Sequence, residues 1–252
     1  MSKSLKIVAL SDMHGELPKD LQECDVVCIC GDIVPLDYQQ NFVKSISWFL
    51  LDFKPWAETL PCKKVIFIGG NHDFFLQRLH QRGMSLPESF TEEADLTWNR
   101  PSTVMKSLLV GNHKGQSKLV YLCDNSYEYE GITFYGTPWI ADLTRWAFYL
   151  PEDKLAERYA NIPKKLDVLL THMPPKVANV GTVLQGGWNS LTNYGSESLV
   201  QAIKDRDINW SLCGHVHSGN HLPTLIDNTN FVNVSLKDED YKVAYKPFCF
   251  IV

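Results

Sequence analysis

The sequence repeats one pattern five times: a short apolar run ends abruptly in a loop of polar, glycine or histidine residues. Runs of four or five residues rich in Val and Ile are typical of strands buried on both faces of a sheet. Ligands of α/β sheets bind beyond the carboxyl ends of the strands, so these five loops are expected to converge. The runs, each with its loop, are 6–10 with 11–15, 26–30 with 31–32, 65–68 with 69–73, 168–170 with 171–172, and 210–213 with 214–217.

Amphipathic helical patterns lie between these runs. Residues 38–53 place large apolar side chains three and four positions apart, which gives one apolar face. Residues 196–206 carry a similar stripe, and Ser196 is a candidate N-cap. Residues 151–159 open with Pro, Glu and Asp, which favours a helix start. Alternating strands and helices predict an α/β fold.

A second sheet is predicted from a change of pattern after the middle of the chain. Residues 118–135 contain alternating apolar stretches with a turn at 130–131. Two more strands are expected at 228–234 and 241–252. The stretch around 80–118 is irregular and rich in Gly and Pro, and it is interpreted as an insertion over the site.

Composition limits the classes of function. The chain has 252 residues and a net charge of −5, so it has no long-range attraction to nucleic acid or to anionic membranes. No apolar run approaches the roughly 18 residues that a membrane span needs, and no signal-peptide pattern opens the chain. Seven scattered cysteines are typical of free thiols in a reducing compartment. One catalytic domain over 1–252 in the cytoplasm is expected.

The five loops together offer three carboxylates, one amide and five imidazoles. Taken singly, each Asp or His after a strand has a plain explanation as a cap or a hydrogen-bonded polar residue. Oxygen ligands mixed with imidazole suit first-row divalent ions, and the lack of cysteine in these loops argues against a structural zinc site. The pattern therefore predicts a metal centre.

The loops read Ser11-Asp12-Met13-His14, Gly31-Asp32, Gly70-Asn71-His72-Asp73, Thr171-His172 and Gly214-His215-Val216-His217. In this order they resemble the motifs of the calcineurin-like metallophosphoesterase superfamily. A narrower similarity, carried by 124–126, 135–139 and 171–175, points to the branch of the metallophosphoesterase-domain brain proteins. The resemblance implies a four-layer α/β/β/α sandwich of two mixed sheets.

The resemblance implies two divalent metal ions, with Mn as the first choice and Fe, Zn, Ni or Co as alternatives. By motif, the first ion is assigned to Asp12, His14 and His217, the second to Asn71, His172 and His215, and the bridge between them to Asp32. Two dications and two carboxylates leave a local charge of +2, or +1 with a hydroxide. An anion site is therefore expected inside an acidic protein.

The mechanism implied by the resemblance is in-line attack on phosphorus by a hydroxide that bridges the ions. His72 is assigned as the acid that protonates the departing alkoxide, and Asp73 as the group that orients His72. The alternatives are a purely structural His72 and a helix-capping Asp73. Two roles are possible for Trp139, stacking on the substrate or packing within the fold.

The substrate is expected to be a small phosphodiester, nucleotide-type substrates included. Protein phosphatases of the superfamily continue the second motif to a phosphate-clamping arginine, whereas this chain continues Gly31-Asp32 as Ile-Val-Pro-Leu-Asp. The missing cation disfavours dianionic monoesters. Alternatives are a phosphomonoesterase, including a phosphoprotein phosphatase, and a metal-binding scaffold without catalysis. Nucleic acid and membrane partners are disfavoured, and no oligomeric state is indicated.

Overall fold

The computed structural model describes residues 4–81, 117–141, 143–185 and 190–252. Its strands are β1 (Lys6–Leu10), β2 (Val26–Ile29), β3 (Lys64–Phe67), β4 (Leu119–Tyr121), β5 (Asn125–Tyr129), β6 (Ile132–Thr137), β7 (Lys165–Thr171), β8 (Thr182–Gln185), β9 (Ser190–Asn193), β10 (Asp207–Cys213), β11 (Thr224–Ile226), β12 (Thr229–Asn233) and β13 (Phe248–Ile251). Its α-helices are α1 (Phe42–Trp48), α2 (Lys54–Thr59), α3 (Phe74–Gln81), α4 (Glu152–Tyr159) and α5 (Glu197–Lys204).

The strands build two mixed sheets. The first has the order β13-β1-β2-β3-β4, and only β13 runs antiparallel to its neighbour. The second has the order β11-β12-β10-β7-β6-β5, with parallel central strands and antiparallel edges. Strands β8 and β9 form a separate hairpin. Because the loops with the predicted metal ligands follow parallel strands, they emerge at one edge of each sheet.

Alternate residues of the strands form the two faces of each sheet. Ile7, Val26 and Ile66 of the first sheet pack with Val168 and Leu212 of the second in a buried cluster between the sheets. The intervening residues face outward into a second cluster that contains helix side chains. Helices therefore cover both outer faces, and the predicted α/β/β/α order with two mixed sheets is confirmed.

The helix predicted at 38–53 begins later and extends further than expected. The side chain of Asn41 accepts a hydrogen bond from Lys44 N and caps the helix start. A π-helical turn, Phe49–Phe53, then joins α1 to α2. In this wider turn Lys54 N donates to Phe49 O, and Pro55 follows at the start of α2. A π-helical turn contains one residue more than an α-helical turn, and the apolar period of 3.6 residues in the sequence does not reveal it.

Two strand predictions need correction. Residues 119–121 pair with β3 in the first sheet, so the second sheet begins only at β5. The strand expected at 241–252 is confined to β13, because Tyr241 lies in a turn and Pro247 cannot donate to a ladder. The strand expected at 228–234 is present as β12.

The insertion predicted around 80–118 lies almost wholly outside the described residues. Within the part of the chain that is described, no helix has the length and apolarity to cross a bilayer.

Candidate metal centre

The predicted ligands lie in the loops that follow β1, β2, β3, β7 and β10. Four of them adopt left-handed backbone conformations, which are uncommon for residues other than glycine. The φ angles are 53° for Asp12, 44° for His14, 53° for Asp32 and 70° for His215. Such strain is typical of functional sites, where the surrounding structure holds it in place.

The carboxylate of Asp32 lies at the middle of the cluster. Its Oδ2 faces three imidazole Nε2 atoms, at 3.8 Å from His14, 3.7 Å from His72 and 3.4 Å from His172. Its Oδ1 accepts a hydrogen bond from His72 N at 2.8 Å, which fixes the carboxylate. Asp32 is buried, so its negative charge is turned toward the histidines rather than toward water.

The amide of Asn71 joins two further histidines to this group. Its Oδ1 lies 2.8 Å from His172 Nε2 and 2.8 Å from His215 Nδ1. His172 donates through Nδ1 to Cys30 O at 2.7 Å, so its other nitrogen is turned toward Asn71 and Asp32. These contacts gather oxygen and nitrogen acceptors around one point.

The carboxylate of Asp12 organises the opposite side. It accepts from His215 N at 3.0 Å and from Ser235 Oγ at 2.7 Å, and its Oδ1 lies 3.4 Å from His217 Nε2. His217 donates through Nδ1 to Asp238 O at 2.8 Å. His217 Nε2 also lies 3.4 Å from His14 Nε2. The structure therefore brings all seven predicted ligands into one connected cluster.

The donor set fits divalent metal ions. His172 and His217 each donate through Nδ1 to a backbone carbonyl, so in the neutral state Nε2 presents a lone pair toward the carboxylates. Acceptors that face acceptors need a shared cation. Three groups each place one ligand atom per residue within 4.8 Å of one another: Asp12, His14 and His217; His14, Asp32 and His72; and Asp12, Asp32 and His172.

The pKa values of the histidines reflect their burial beside the two carboxylates. Burial favours neutral histidine, but the charge of Asp32 outweighs it and raises the pKa of His172 to about 9. Burial likewise opposes the proton on His217, yet its hydrogen bond to Asp12 raises the pKa to about 9. Burial lowers the pKa of His14 to about 3. Protons on His172 and His217 would therefore offset part of the buried carboxylate charge when no ion is bound, whereas the lowered pKa of His14 keeps that ring neutral.

His72 lies against this cluster and is buried. Its Nδ1 contacts Gln39 Oε1, so the neighbouring carboxamide fixes the ring orientation. Trp146 packs against the same ring with a centroid distance of 4.4 Å. Nε2 of His72 is consequently turned toward Asp32 and the centre of the site.

Among the described hydrogen bonds of Asp73, none reaches His72, the residue that Asp73 is predicted to orient. Its buried carboxylate accepts hydrogen bonds from Gly70 N at 2.8 Å, Ile33 N at 3.1 Å and Val34 N at 3.2 Å. Burial and the charge of Asp32 raise the pKa of Asp73 to about 7. Asp73 therefore ties the loop after β2 to the loop after β3, and Gln39 occupies the place beside His72.

A family model described as calcineurin-like phosphoesterase matches residues 5–219. The chain belongs to the calcineurin-like phosphoesterase family. Members of this family typically bind a dinuclear metal centre and hydrolyse phosphoesters, which agrees with the clustered ligand groups. Membership therefore supports phosphoester hydrolysis as the class of activity.

Similar proteins include members of the predicted branch. A UPF0046 protein of Caenorhabditis elegans is 28% identical over 98% of this chain and 80% of its own length. Metallophosphoesterase domain-containing protein 1 of Homo sapiens is 25% identical over 96% of this chain and 69% of its own length. A solved crystal structure superposes with a TM-score of 0.59 at 13% identity, covering 92% of this chain and 90% of that chain, and this likeness concerns the fold alone.

Sequence reasoning missed several residues around this phosphoesterase site. Gln39 and Trp146 contact His72, Ser235 binds Asp12, and Tyr241 lies beside three of the histidines. None belongs to a motif, and Tyr241 was expected inside a strand. For Ser235, the sequence offers one signal, which is its position just after the strand β12.

Two side chains outside the motifs, Trp139 and His221, pack on other aromatic rings. Trp139 is buried, donates to Asp124 Oδ2 at 2.7 Å and packs against Phe148, which favours the packing alternative. His221 stacks on Tyr245 with a centroid distance of 3.5 Å. His113 lies outside the described residues.

Proposed function

We propose that this protein is a dinuclear metal-dependent phosphodiesterase that hydrolyses a small or nucleotide-type phosphodiester. The observation that carries the proposal is the convergence of Asp12, Asp32, Asn71 and four histidines on one point, with their lone pairs facing inward. Divalent ions bound there would polarise the phosphoryl oxygens and acidify a water molecule that attacks phosphorus. Mn is the proposed metal, because oxygen and imidazole ligands are mixed.

Each side chain has a proposed place in the centre. Asp12, His14 and His217 would hold one ion, and Asn71, His172 and His215 the other. Asp32 would lie between the ions, which agrees with its Oδ2 facing imidazoles on both sides. A shared carboxylate is needed there because two dications at roughly 3.5 to 4 Å repel each other.

His72 would supply the proton for the leaving group. Its Nδ1 is held by Gln39, and its Nε2 faces the cleft beside Asp32. A proton on Nε2 would point into the cleft, where a departing ester oxygen would have to lie. The role of Asp73 in this proposal is to position the two ligand loops through its three amide contacts.

The charges around the cleft favour a diester over a monoester. The described residues that line it are Asp32, Asn71, His72, Leu143, His215, His217, Glu239 and Tyr241. This set contains no lysine or arginine and includes a carboxylate at the rim. A monoester dianion would need a side-chain cation beyond the metal ions, whereas a diester carries a single negative charge.

A cytoplasmic location and a single catalytic domain over 1–252 belong to the same proposal. All seven cysteines are free in the structure, which is typical of a reducing compartment.

The test compares bis(4-nitrophenyl) phosphate with 4-nitrophenyl phosphate, using protein loaded with Mn²⁺ and protein treated with a chelator. We expect kcat/KM for the diester to exceed that for the monoester by at least about tenfold, since the cleft lacks a cation for the second charge. We also expect the activity to disappear on chelation and to return with Mn²⁺. Faster hydrolysis of the monoester would contradict the diester preference, and full activity after chelation would contradict the metal mechanism.

A further inference from the structure

The ring of Tyr241 lies over the metal centre and faces three of its histidines. The centroid distances are 5.0 Å to His14, 5.1 Å to His217 and 6.3 Å to His72, and all three contacts are edge-to-face. Tyr241 lines the cleft and is 40% exposed. One part of the ring therefore packs on the histidines while another part stays open to a ligand.

A short hairpin, residues 237–243, holds this ring in place. Lys237 and Val243 pair across it, and Tyr241 N donates to Asp238 O at 2.9 Å. The hairpin is fastened to the site because His217 donates to the same carbonyl and Ser218 Oγ donates to Glu239 Oε1 at 2.7 Å. The position of Tyr241 is thus coupled to a predicted metal ligand.

The backbone of Tyr241 is strained. Its φ of 60° lies in the left-handed region, where a bulky aromatic residue is a genuine outlier. Asn, Asp or Gly would satisfy the turn at lower cost. Strain of this type persists where the position of the side chain matters to function. Packing of the hairpin alone would not require an aromatic ring at this point.

The size of the cleft indicates what reaches the ring. The cleft has a volume of about 140 Å³, small beside the roughly 300 to 1,000 Å³ of typical ligand pockets. The phosphoryl group would fill it, so an ester group of the substrate must lie along the rim. The described rim offers Leu143, Glu239 and Tyr241, which together favour a flat, uncharged group over an anionic one.

We propose that Tyr241 determines substrate specificity by stacking on an aromatic ester group, either an aryl ring or a nucleobase. The inference rests on the proposed function, since it needs a phosphoryl group at the metal centre. It goes further by selecting diesters in which the ester group retained on phosphorus is a planar aromatic ring over diesters in which that retained group is alkyl. Stacking of one ring on one aromatic side chain changes affinity roughly 5- to 100-fold.

The test uses two diesters with the same leaving group, bis(4-nitrophenyl) phosphate and methyl 4-nitrophenyl phosphate. We expect Tyr241→Leu to lower the ratio of their kcat/KM values roughly 5- to 100-fold, while Tyr241→Phe keeps that ratio within about threefold. Binding is measured separately by calorimetry on the metal-loaded protein, with phenylphosphonate and methylphosphonate as probes. The preference for the phenyl compound should fall in parallel.

Val243→Ala is the matched control, because Val243 belongs to the same hairpin and is 58% exposed. Metal content is measured for every variant. An unchanged ratio in Tyr241→Leu, or an equal fall for both diesters with loss of metal, would overturn the inference. If the wild type hydrolyses neither diester yet prefers phenylphosphonate through Tyr241, the inference stands and the proposed function fails.

Discussion

At the scale of single residues, the clearest question is what His72 contributes. It shares the site with the ligand histidines, yet its Nδ1 is held by Gln39 and its ring packs on Trp146. A ligand and a proton donor would both need this orientation. The two roles differ in how strongly the fall in kcat on removal of His72 depends on the leaving group.

We therefore expect His72→Ala to act selectively. For a diester with an alkoxide leaving group, kcat should fall by about 10² to 10⁴, because the departing oxygen needs a proton. For a 4-nitrophenyl ester the fall should be much smaller, because 4-nitrophenolate leaves without one. Gln39→Leu should show the same selectivity with a smaller loss. The measurement is steady-state kinetics on both diesters, with metal content determined for each variant.

An equal loss on both diesters, accompanied by loss of metal, would instead make His72 a ligand. The sequence could suggest His72 from its motif but could not reveal Gln39. That residue lies 33 positions away, and the contact forms only when the loop after β2 folds back over the loop after β3. For the same reason, the hydrogen bonds of Asp73 to Ile33 and Val34 were not foreseen.

At the scale of elements, the glycines of the loops allow ligands to approach one another. A Cβ on Gly70 would lie 2.3 Å from Asp32 Oδ1 and 2.7 Å from His172 Cε1. A Cβ on Gly214 would lie 2.4 Å from Asp12 Oδ2. The loops after β3 and β10 can therefore close on their neighbours only because these positions lack a side chain.

Gly70→Ala should displace Asp32 and His172 from their shared point. We expect fewer than two metal ions per chain and a loss of turnover on the order of 10²-fold, since catalysis is sensitive to displacements of about 1 Å. Gly131→Asn is the control, because Gly131 has open space around it and Asn tolerates its φ of +83°. Two ions bound with unchanged affinity in Gly70→Ala would refute this account of the loops.

The elements themselves were largely predictable. Buried strands such as β1, β3 and β10 are short runs of Val, Ile and other apolar residues, so composition and length identify them. The π-helical turn and the turn at Tyr241 were not predictable. Both depend on packing against distant residues rather than on local periodicity, and the strained φ of Tyr241 runs against its propensity.

At the scale of the whole molecule, an acidic protein contains a buried site whose carboxylates favour bound cations. Asp12 and Asp32 are fully or almost fully buried, and in the described structure their ion-pair partners are histidines. Buried charge without compensation is costly, so the folded chain is expected to gain stability from bound divalent ions. The motifs of the sequence indicate this site. That the loops of both sheets meet at one edge can be seen only in the folded structure.

The most direct measurement is a crystal structure of the Mn²⁺-loaded protein, with the metal positions taken from anomalous scattering. We expect two anomalous peaks roughly 3.5 to 4 Å apart. Asp32 should lie between them, His14 and His217 should contact one ion, and His172 and His215 the other. A single ion, or ions bound away from these side chains, would contradict a dinuclear centre held by these residues.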